Sequence, residues 1–444
     1  MRSGTGLLVI VAFCLCECIL QQQSNIFCEF EAAILSIQWV LLICLAAWFA
    51  AFLFFDFRLN DLLLAGLLFG ALVYHMGSTA TSRQCDVLVL LFGPSLGKGA
   101  KFLLVKGKCK KETTSNDQGS TLECQSGTIY FLMGLILLLA FSTAWYLDTS
   151  NNVLTHSIRW TGIWGNPNNY GILMGAGLSL AVGLCAAMKG EGRRKKKESG
   201  KLKVESGRRK SKALWRSAAD SWKLAILLIA AFMMGVGLLF SFSRGAWVGT
   251  AGGLLYLAKY YGKFKWQWVL PPVLIIVAGV WFFWNNTSDN ASWYVKRLDL
   301  SRGSVQHRLG AWRAGFQIML DHPFGVGWNN TIEIYRKDYS PSAPDAAPAI
   351  TTNDYLMLGT QLGWPGLICF VAYAALCFKT KPPQTSGTRW PTLACRAGAL
   401  TMLIAFWFDG GLFTLATTSV FWILLELGKI DLSVAASTGN FSAN

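Results

Sequence analysis

Long apolar runs dominate the chain, and short polar segments separate them. A run of about 20 apolar residues is long enough to cross the hydrocarbon core of a bilayer as a helix. These runs are continuous rather than alternating, so they predict helices and not barrel strands. The clear runs are 33–55, 127–147, 169–189, 223–241, 268–284, 353–378, 391–409 and 411–428, and shorter or more polar candidates lie at 6–20, 61–76, 86–105 and 245–261. The pattern predicts an all-α integral membrane protein with about twelve transmembrane helices.

Composition excludes a soluble globular protein. Of the 444 residues, 53% are hydrophobic and only 14% are charged, and a water-exposed surface needs more charge than that. The first run, 6–20, has the length of a secretory signal, but no small-residue cleavage site follows it, so we interpret it as the first span. The 12 cysteines are scattered through apolar runs without metal-ligand spacing. We therefore expect no metal and no cofactor.

Positive charge sets the predicted orientation. Residues 189–216 contain thirteen Lys or Arg against three Glu, which is most of the chain's net charge of +16. Since basic loops stay in the cytoplasm, this segment predicts the cytoplasmic side. With twelve spans the basic segments 106–111, 259–265 and 379–389 fall on the same side, and both termini lie inside. A topogenic role explains the charge; contact with anionic membrane lipids is the alternative, and no nucleic acid partner is expected.

The same orientation leaves one long segment, 285–352, on the outer side. Its middle part has helical periodicity that Pro323 ends, so it predicts an amphipathic helix on the outer surface. A loop this long in a bundle of short turns is the first place to look for function. The predicted organisation is helices one to nine in 1–284 with the cytoplasmic basic loop 189–222, a periplasmic loop domain in 285–352, helices ten to twelve in 353–428, and a cytoplasmic tail in 429–444.

The segment SFSRGAWVG, residues 241–249, places Arg244 where two predicted spans meet. An arginine inside the hydrocarbon costs roughly 2.5–3.5 kcal/mol on insertion scales, so its presence needs a reason. One interpretation is that its side chain snorkels to the headgroups. The other is anion binding, since Ser243 and its small neighbours let a ligand approach, and a helix that starts near Gly245 would add backbone amides. The second interpretation predicts a site for a phosphate-like group.

The outer segment contributes more candidate residues along its predicted helix. Arg308 opens the helix and Arg313 follows it. Each of them belongs either to a solvated face or to a clamp on the phosphates that Arg244 also holds. His307 is the neighbour of Arg308, and its role is open. His322 belongs to the turn HPFGVG, where a structural role is the alternative to substrate binding.

Two further outer segments carry polar residues. Thr352, Asn353 and Asp354 stand at the mouth of the tenth span. They predict either an N-terminal helix cap or, for Asp354, a general base. Arg159 and Asn168 precede the sixth span in RWTGIWGNPNNYG. Turn formation explains the asparagines, but both residues add polar groups to the same outer cluster.

Three stretches, in their order and spacing, resemble the bacterial O-antigen ligase and O-antigen polymerase superfamily of multi-spanning glycan transferases, and a fourth stretch also resembles a segment of that family. SFSRGAWVG resembles the serine–arginine motif of the family, and GIWGNPNNYG resembles its Asn-Pro-Asn stretch. RLGAWRAGFQIMLDHPFGVGW resembles its arginine-containing helix and the turn after it, and TNDYLMLGTQLGWPG resembles the start of the following span. The resemblance covers about 159–375; residues 1–126 carry no matching motif.

The resemblance implies a glycosyltransferase of surface polysaccharide or lipopolysaccharide biosynthesis in the bacterial inner membrane. Such an enzyme takes a glycan from an undecaprenyl diphosphate carrier on the periplasmic side and joins it to the hydroxyl of a glycan or lipid acceptor. Its arginines, here Arg244 and Arg308, hold the diphosphate without a metal. The polar residues around them would then contact the substrates.

One position departs from the family pattern. Where ligases of the family have a histidine that is proposed to activate the acceptor hydroxyl, this chain has Thr352. Threonine cannot act as a base near neutral pH. The base is therefore Asp354, His307 or no side chain at all, and transfer by a ligase or by a polymerase both stay open. A transporter or flippase for a lipid-linked or anionic solute is the alternative function, in which the arginines bind but do not react.

Overall fold

The fold is a bundle of helices. The structure, a computed structural model, describes residues 93–94, 96–98, 100, 117–144, 159–201, 207–260, 303–327, 330–339, 350, 352–379 and 386–429. The α-helices from residue 117 onward are α1 (Asp117–Ala144), α2 (Pro167–Lys201), α3 (Gly207–Ser241), α4 (Arg244–Tyr260), α5 (Gly303–Asp321), α6 (Thr331–Ile334), α7 (Asp354–Lys379), α8 (Ser386–Ala405) and α9 (Leu415–Leu427). A short 3₁₀ helix spans Gly162–Trp164, and a π-helix spans Tyr335–Tyr339.

These helices confirm the all-α class, since no residue in the described ranges is in a strand. Three stretches there are long and apolar enough to cross a membrane: Pro167–Met188, Trp222–Ser241 and Asp354–Lys379. Thr128–Thr143 and Leu415–Leu427 are shorter apolar helices. The count of twelve spans and the periplasmic loop stay predictions. The runs 6–20, 33–55, 61–76 and 268–284, most of 86–105, and the tail from residue 430 lie outside the described residues.

The helices continue into the segment that the sequence predicts as a basic loop. α2 runs on to Lys201, and α3 begins at Gly207. Lys, Arg and Glu are good helix formers, so the chain has no local reason to stop its helix where the apolar run ends. Only the apolar parts of these two helices, Pro167–Met188 and Trp222–Ser241, are apolar enough to cross a membrane.

The centre of the bundle consists of α2, α4 and α8, which approach each other through small residues. Along one face of α4, a Cβ at Gly249 or Gly253 would overlap α8 at Thr401. Ser179 of α2 and Thr401 also share a hydrogen bond of 2.9 Å between their hydroxyls. Helices in lipid associate through this kind of close packing, because apolar burial gives no gain there.

One end of the bundle gathers the predicted site segments, and we call it the Arg244 end. Here α2, α4, α7 and α9 begin and α3 and α8 end. Hydrogen bonds join these termini. The Trp160 amide donates to the Phe240 carbonyl at 3.0 Å, and the Asp354 amide donates to the Phe406 carbonyl at 3.0 Å.

The turn after α5 docks on a break in α7. Gly363 has φ 72°, which interrupts the helix just before Pro365. The break leaves backbone groups without helical partners, and the turn supplies them: the Val326 amide donates to the Thr360 carbonyl at 2.8 Å, and the Trp364 amide donates to the Pro323 carbonyl at 2.9 Å. The motifs HPFGVG and GTQLGWPG are thus the two halves of one structural contact.

Candidate active site

The site is built around the turn between α8 and α9, residues 406–412, which we call the 406–412 turn. Its two glycines have φ 65° at Gly410 and φ 159° at Gly411, backbone conformations that side chains disfavour. They reverse the chain tightly and leave the preceding Asp409 pointing at the start of α4. The Asp409 side chain is only 5% exposed.

The Asp409 carboxylate joins three segments that are remote in sequence. One oxygen, Oδ2, accepts the Ser243 hydroxyl at 2.5 Å and the Gly245 amide at 3.0 Å. The other, Oδ1, lies 3.6 Å from Nη1 of Arg308. A Cβ at position 245 would stand 2.6 Å from Oδ2, so glycine is required for this approach. Asp409 therefore holds the residues on both sides of Arg244 and pairs with Arg308.

The segment before α4 is shaped to start a helix at Arg244. Phe242 has φ 50°, which is strained for a residue with a side chain. The Ser243 amide donates to Oγ of Ser241 at 3.2 Å, and Ser243 Oγ in turn accepts the Ala246 amide at 3.1 Å as an N-cap. The sequence predicted that amides near Gly245 would bind an external anion. In the structure the Asp409 carboxylate already accepts the Gly245 amide, and Ser243 Oγ already accepts the Ala246 amide.

Arg244 is the first residue of α4 and brings a guanidinium to this site. Its residue is half-buried, and the described part of the chain offers it no hydrogen-bond or ion-pair partner. The residues around it are fixed by Ser243 and Asp409, so the arginine projects from an ordered helix start. A half-buried guanidinium with unused donors is suited to bind an anion.

Arg308 reaches the same turn from α5. Its Nη1 donates to the Phe408 carbonyl at 3.1 Å, in addition to the longer contact with Asp409, and its side chain is 34% exposed. Trp312, one helical turn later, lies edge-on to Trp407 with ring centroids 6.0 Å apart. These contacts fix the first half of α5 on the 406–412 turn. Among the described residues the Arg308 guanidinium has no further partner, so it has donors available for a ligand.

The start of α7 is locked to the other side of the turn. The Asn353 side-chain oxygen accepts the amides of Tyr355 and Leu356, each at 3.1 Å, which is the cap that the sequence allowed. The Asp354 carboxylate accepts the Leu412 amide at 2.8 Å and is buried. Thr352 is half-buried. The side-chain amide nitrogen of Asn353, Nδ2, is buried and has no partner among the described residues, so it is a donor held inside the site.

Arg159 and Asn168 bind each other rather than standing apart. The Arg159 guanidinium donates to Oδ1 of Asn168 at 2.5 Å and to the Ser241 carbonyl at 2.9 Å. The backbone amide of Asn168 donates to Oδ1 of Asn166 at 2.8 Å. Asn166 therefore caps α2, whose first residue is Pro167. Arg159 therefore holds the segment before Arg244 through the Ser241 carbonyl, and Asn168 holds Arg159 in place.

Three predicted residues lie away from this cluster or cannot be placed. Arg313 and His322 are exposed. The His322 carbonyl accepts the Gly325 amide at 2.8 Å within the turn, as the structural interpretation of HPFGVG expected. His307 lies in α5, but its side chain is outside the described residues.

The end of α5 is anchored by a hydrogen bond outside the membrane-spanning segments. The Tyr339 hydroxyl donates to Asp321 at 2.6 Å. This bond, with a second one from Gln317, holds the pKa of Asp321 below its usual value. Desolvation and then the same bond raise the pKa of Tyr339 to about 12. The pair connects the end of α5 to the π-helix.

The sequence interpretation missed Asp409, which is the centre of the arrangement. Asp409 is the last residue of the apolar run 391–409 and is not among the candidate residues. A usable signal existed: Asp-Gly-Gly stands between two predicted spans, at the same end of the bundle as Arg244. An acid between spans calls for an explanation as much as an arginine does.

One comparison with known proteins bears on this cluster. Residues 229–371 match the sequence model of a family described as O-antigen ligase. The match includes Arg244, Arg308 and the start of α7, and it ends before Asp409. No curated protein matches the chain. The family match confirms the resemblance to the O-antigen ligase and polymerase superfamily, and together with the apolar helices it indicates a membrane protein.

Proposed function

We propose that this protein, a member of the O-antigen ligase and polymerase superfamily by the match of residues 229–371, transfers a glycan from undecaprenyl diphosphate to an acceptor hydroxyl. The transfer takes place at the periplasmic face of the bacterial inner membrane. The observation that supports it best is the Asp409 carboxylate, which bonds the residues on both sides of Arg244 and pairs with Arg308, so that one group organises two arginine-bearing segments. A diphosphate leaving group needs positive charge of this kind.

In the proposed reaction the two arginines bind the diphosphate. The bond between the sugar carbon and the diphosphate oxygen breaks, and its electron pair stays on that oxygen. The acceptor oxygen forms the new bond to the same carbon and loses its proton. Arg244 and Arg308 stabilise the charge that develops on the departing diphosphate by forking onto its oxygens.

Asp409 has a positioning role in this proposal. Its contact with Arg308 is long and partly exposed, so the pair is weak, and a diphosphate can draw the guanidinium away from it. The short bonds to Ser243 and Gly245 keep the start of α4 in place while that happens. The carboxylate thus sets the geometry of the cations without neutralising Arg244.

For the acceptor base, the proposal has three alternatives: Asp354, His307 or no side chain. Asp354 is 3% exposed and bonded to the Leu412 amide, so its first role is to hold the 406–412 turn. Acting as a base would require it to release that amide. His307 and a reaction without a side-chain base stay as alternatives. Arg159, Asn168, Thr352 and Asn353 complete the walls of the proposed site.

Deletion of the gene distinguishes the two activities of the superfamily. Loss of long surface chains, with single repeats accumulating on the carrier, indicates a polymerase. Accumulation of long polymer on the carrier indicates a ligase. An unchanged surface glycan and an unchanged carrier pool would contradict the proposed function.

Replacement of Arg244 tests the clamp directly. We expect both Arg244→Ala and Arg244→Lys to abolish transfer in reconstituted vesicles, because lysine keeps the charge but loses the planar fork. Consumption of the carrier-linked donor measures the reaction. Arg336→Ala removes an exposed arginine of the π-helix and is the matched control. Full activity of the lysine variant would instead support an arginine that only snorkels.

A further inference from the structure

One face of α5 is apolar and exposed although the helix is already docked. Ala311, Ile318 and Met319 are fully buried and face the protein. Leu309, Phe316 and Leu320 have between 47% and 57% of their surface exposed. Their spacing of seven and then four residues puts them on a second face. Arg313 lies on the same face and is exposed, and we call these four residues the α5 strip.

The third face of the helix is polar. Gln317 is exposed and donates to Oδ1 of Asp321 at 3.1 Å, one turn later. The helix therefore has one side packed on the protein, one apolar side that is left about half exposed among the described residues, and one side suited to water. Three exposed large apolar side chains in a row are unusual in water and indicate a contact surface.

The position of α5 along α7 shows what covers the strip. The Trp364 indole donates to the Met319 carbonyl at 3.1 Å, and the Trp364 and Phe316 rings lie 5.9 Å apart, edge to face. Trp364 is ten residues inside Asp354–Lys379, which is one of the membrane-length helices. The end of α5 therefore packs against the side of this membrane-length helix.

The strip continues directly into the outward surface of that helix. Ile368 and Val371 follow Trp364 at helical spacing on one face of α7, and they are 58% and 46% exposed. In a membrane-spanning helix such side chains face lipid. Tryptophan side chains are enriched at the interface between membrane and water.

We infer that the α5 strip lies in the bilayer leaflet at the Arg244 end of the bundle, with phospholipid as its occupant. Acyl chains cover Leu309, Phe316 and Leu320, and Arg313 extends to the headgroup phosphates. The apolar side chains and the cation on one face fit the two parts of a phospholipid. The strip is thus an interfacial anchor.

The anchor has a consequence that rests on the proposed function. Arg308 directly precedes Leu309 in α5 and contacts the 406–412 turn. An interfacial α5 holds Arg308 at the depth of the lipid phosphates, where the diphosphate of a membrane-bound carrier also lies. The anchor would then place the cations at the level of the donor headgroup.

Lipid cross-linking tests the anchor in the full chain. The photoreactive residue benzoylphenylalanine is placed at Leu320 or, as the control on the polar face, at Gln317. The protein is reconstituted in nanodiscs of phosphatidylethanolamine and phosphatidylglycerol without donor or acceptor. After illumination, mass spectrometry should show phospholipid adducts several times more abundant at position 320. Equal yields at both positions, or adducts of position 320 with a second copy of the chain, would overturn the inference.

Two additions separate the possible occupants. Polyprenyl diphosphate added to the nanodiscs should leave the phospholipid adducts in place, and their replacement by prenyl adducts would assign the strip to the donor instead. Arg313→Glu should reduce the adduct yield at position 320 in the anionic bilayer, whereas Arg336→Glu should not. No step needs transfer activity, so the anchor and the proposed function can fail separately.

Discussion

At the residue scale, the Asp409 carboxylate positions two arginines, Arg244 through its neighbours and Arg308 directly. It bonds the serine and the glycine on either side of Arg244 and pairs with Arg308. The three groups lie on α4, α5 and the 406–412 turn, so no local preference of the chain brings them together. Removing the charge should therefore loosen both arginines at once.

We predict that Asp409→Asn slows transfer by about 10- to 100-fold, which corresponds to the loss of a charged hydrogen bond worth about 1.5–3 kcal/mol. The amide oxygen still accepts from Ser243 and Gly245, but these bonds lose their charged acceptor, and the weak pairing with Arg308 is lost as well. The measurement is the rate of donor consumption in vesicles at equal protein content. Asp338→Asn, an exposed acid of the π-helix, is the control and should keep its rate. An Asp409→Asn rate equal to that of the parent would refute the positioning role.

At the scale of elements, the break in α7 joins the outer segment to the bundle. Gly363 and Gly325 approach so closely that a Cβ on Gly363 would stand 2.6 Å from the Gly325 amide nitrogen. Both glycines have positive φ, at 72° and 88°. The break is thus a docking site made from two glycine turns, and it fixes the end of α5 against α7.

Gly363→Ala should destabilise this contact by about 1–3 kcal/mol, since alanine is strained at φ 72° and its methyl group meets the docked turn. We expect a lower thermal unfolding midpoint in detergent. Gly310→Ala, whose added Cβ meets nothing within 4 Å, should leave the midpoint unchanged or raise it slightly. Equal midpoints for the two variants would show that the turn does not hold α5.

The bond between Tyr339 and Asp321 makes the π-helix sensitive to acid. The pKa of Asp321 is lowered in the folded protein, so the bond contributes stability above the ordinary aspartate value of about 3.9. That contribution is lost as the pH falls through the lowered pKa. Tyr339→Phe should remove this pH dependence.

The measurement is hydrogen exchange of Tyr335–Tyr339, corrected for the intrinsic effect of pH on exchange. In the parent protein, protection should fall in that acid range, and in Tyr339→Phe it should be low and nearly constant across it. Glu333→Gln, an exposed acid on α6, should follow the parent. Retention of the parent profile in Tyr339→Phe would assign the acid response to another group.

At the scale of the whole molecule, three helices with small residues form the frame of the site. α2, α4 and α8 pack closely enough that the Arg244 end is fixed by their contact. The opposite end of the bundle adds a buried ionic cluster. There Lys429 pairs with Glu426 at 2.6 Å, and Tyr373 bonds Glu426. This cluster joins α9 to α7, so it fixes the two helices that pack beside the frame.

We expect Gly253→Val to weaken this frame by about 1–3 kcal/mol, the usual cost of overfilling a packed interior. Position 253 faces Ala397 and Thr401 of α8 at contact distance. The readouts are the fraction of protein that stays monodisperse after detergent extraction and its thermal unfolding midpoint. Gly235→Val on α3, where an added Cβ meets nothing within 4 Å, is the control. A wild-type midpoint for Gly253→Val would mean that α4 and α8 can separate without loss.

Several features of the fold follow from the sequence alone. The helical class follows from the long apolar runs, because the period and length of such a run are local properties. The helix start at Arg244 follows from Ser243, whose capping preference is also local. The resemblance to O-antigen ligases rests on ordered segments, and the family match confirms it. Arg244, Arg308 and the start of α7 lie in these segments, so the sequence identifies them as candidate site residues.

Only the tertiary structure decided how those segments meet. The bond between Gly245 and Asp409 joins residues 164 positions apart, and it exists because α4 and α8 pack through glycine and so bring their ends together. The sequence does not distinguish the apolar residues of α5 that pack on the protein from those that are exposed, because both faces carry the same kinds of apolar side chain. The sequence by itself predicts which segments are apolar enough to cross the membrane and which residues are candidates, because both depend on neighbours along the chain. The partner of each candidate depends on neighbours in space, which the packing of the helices alone defines.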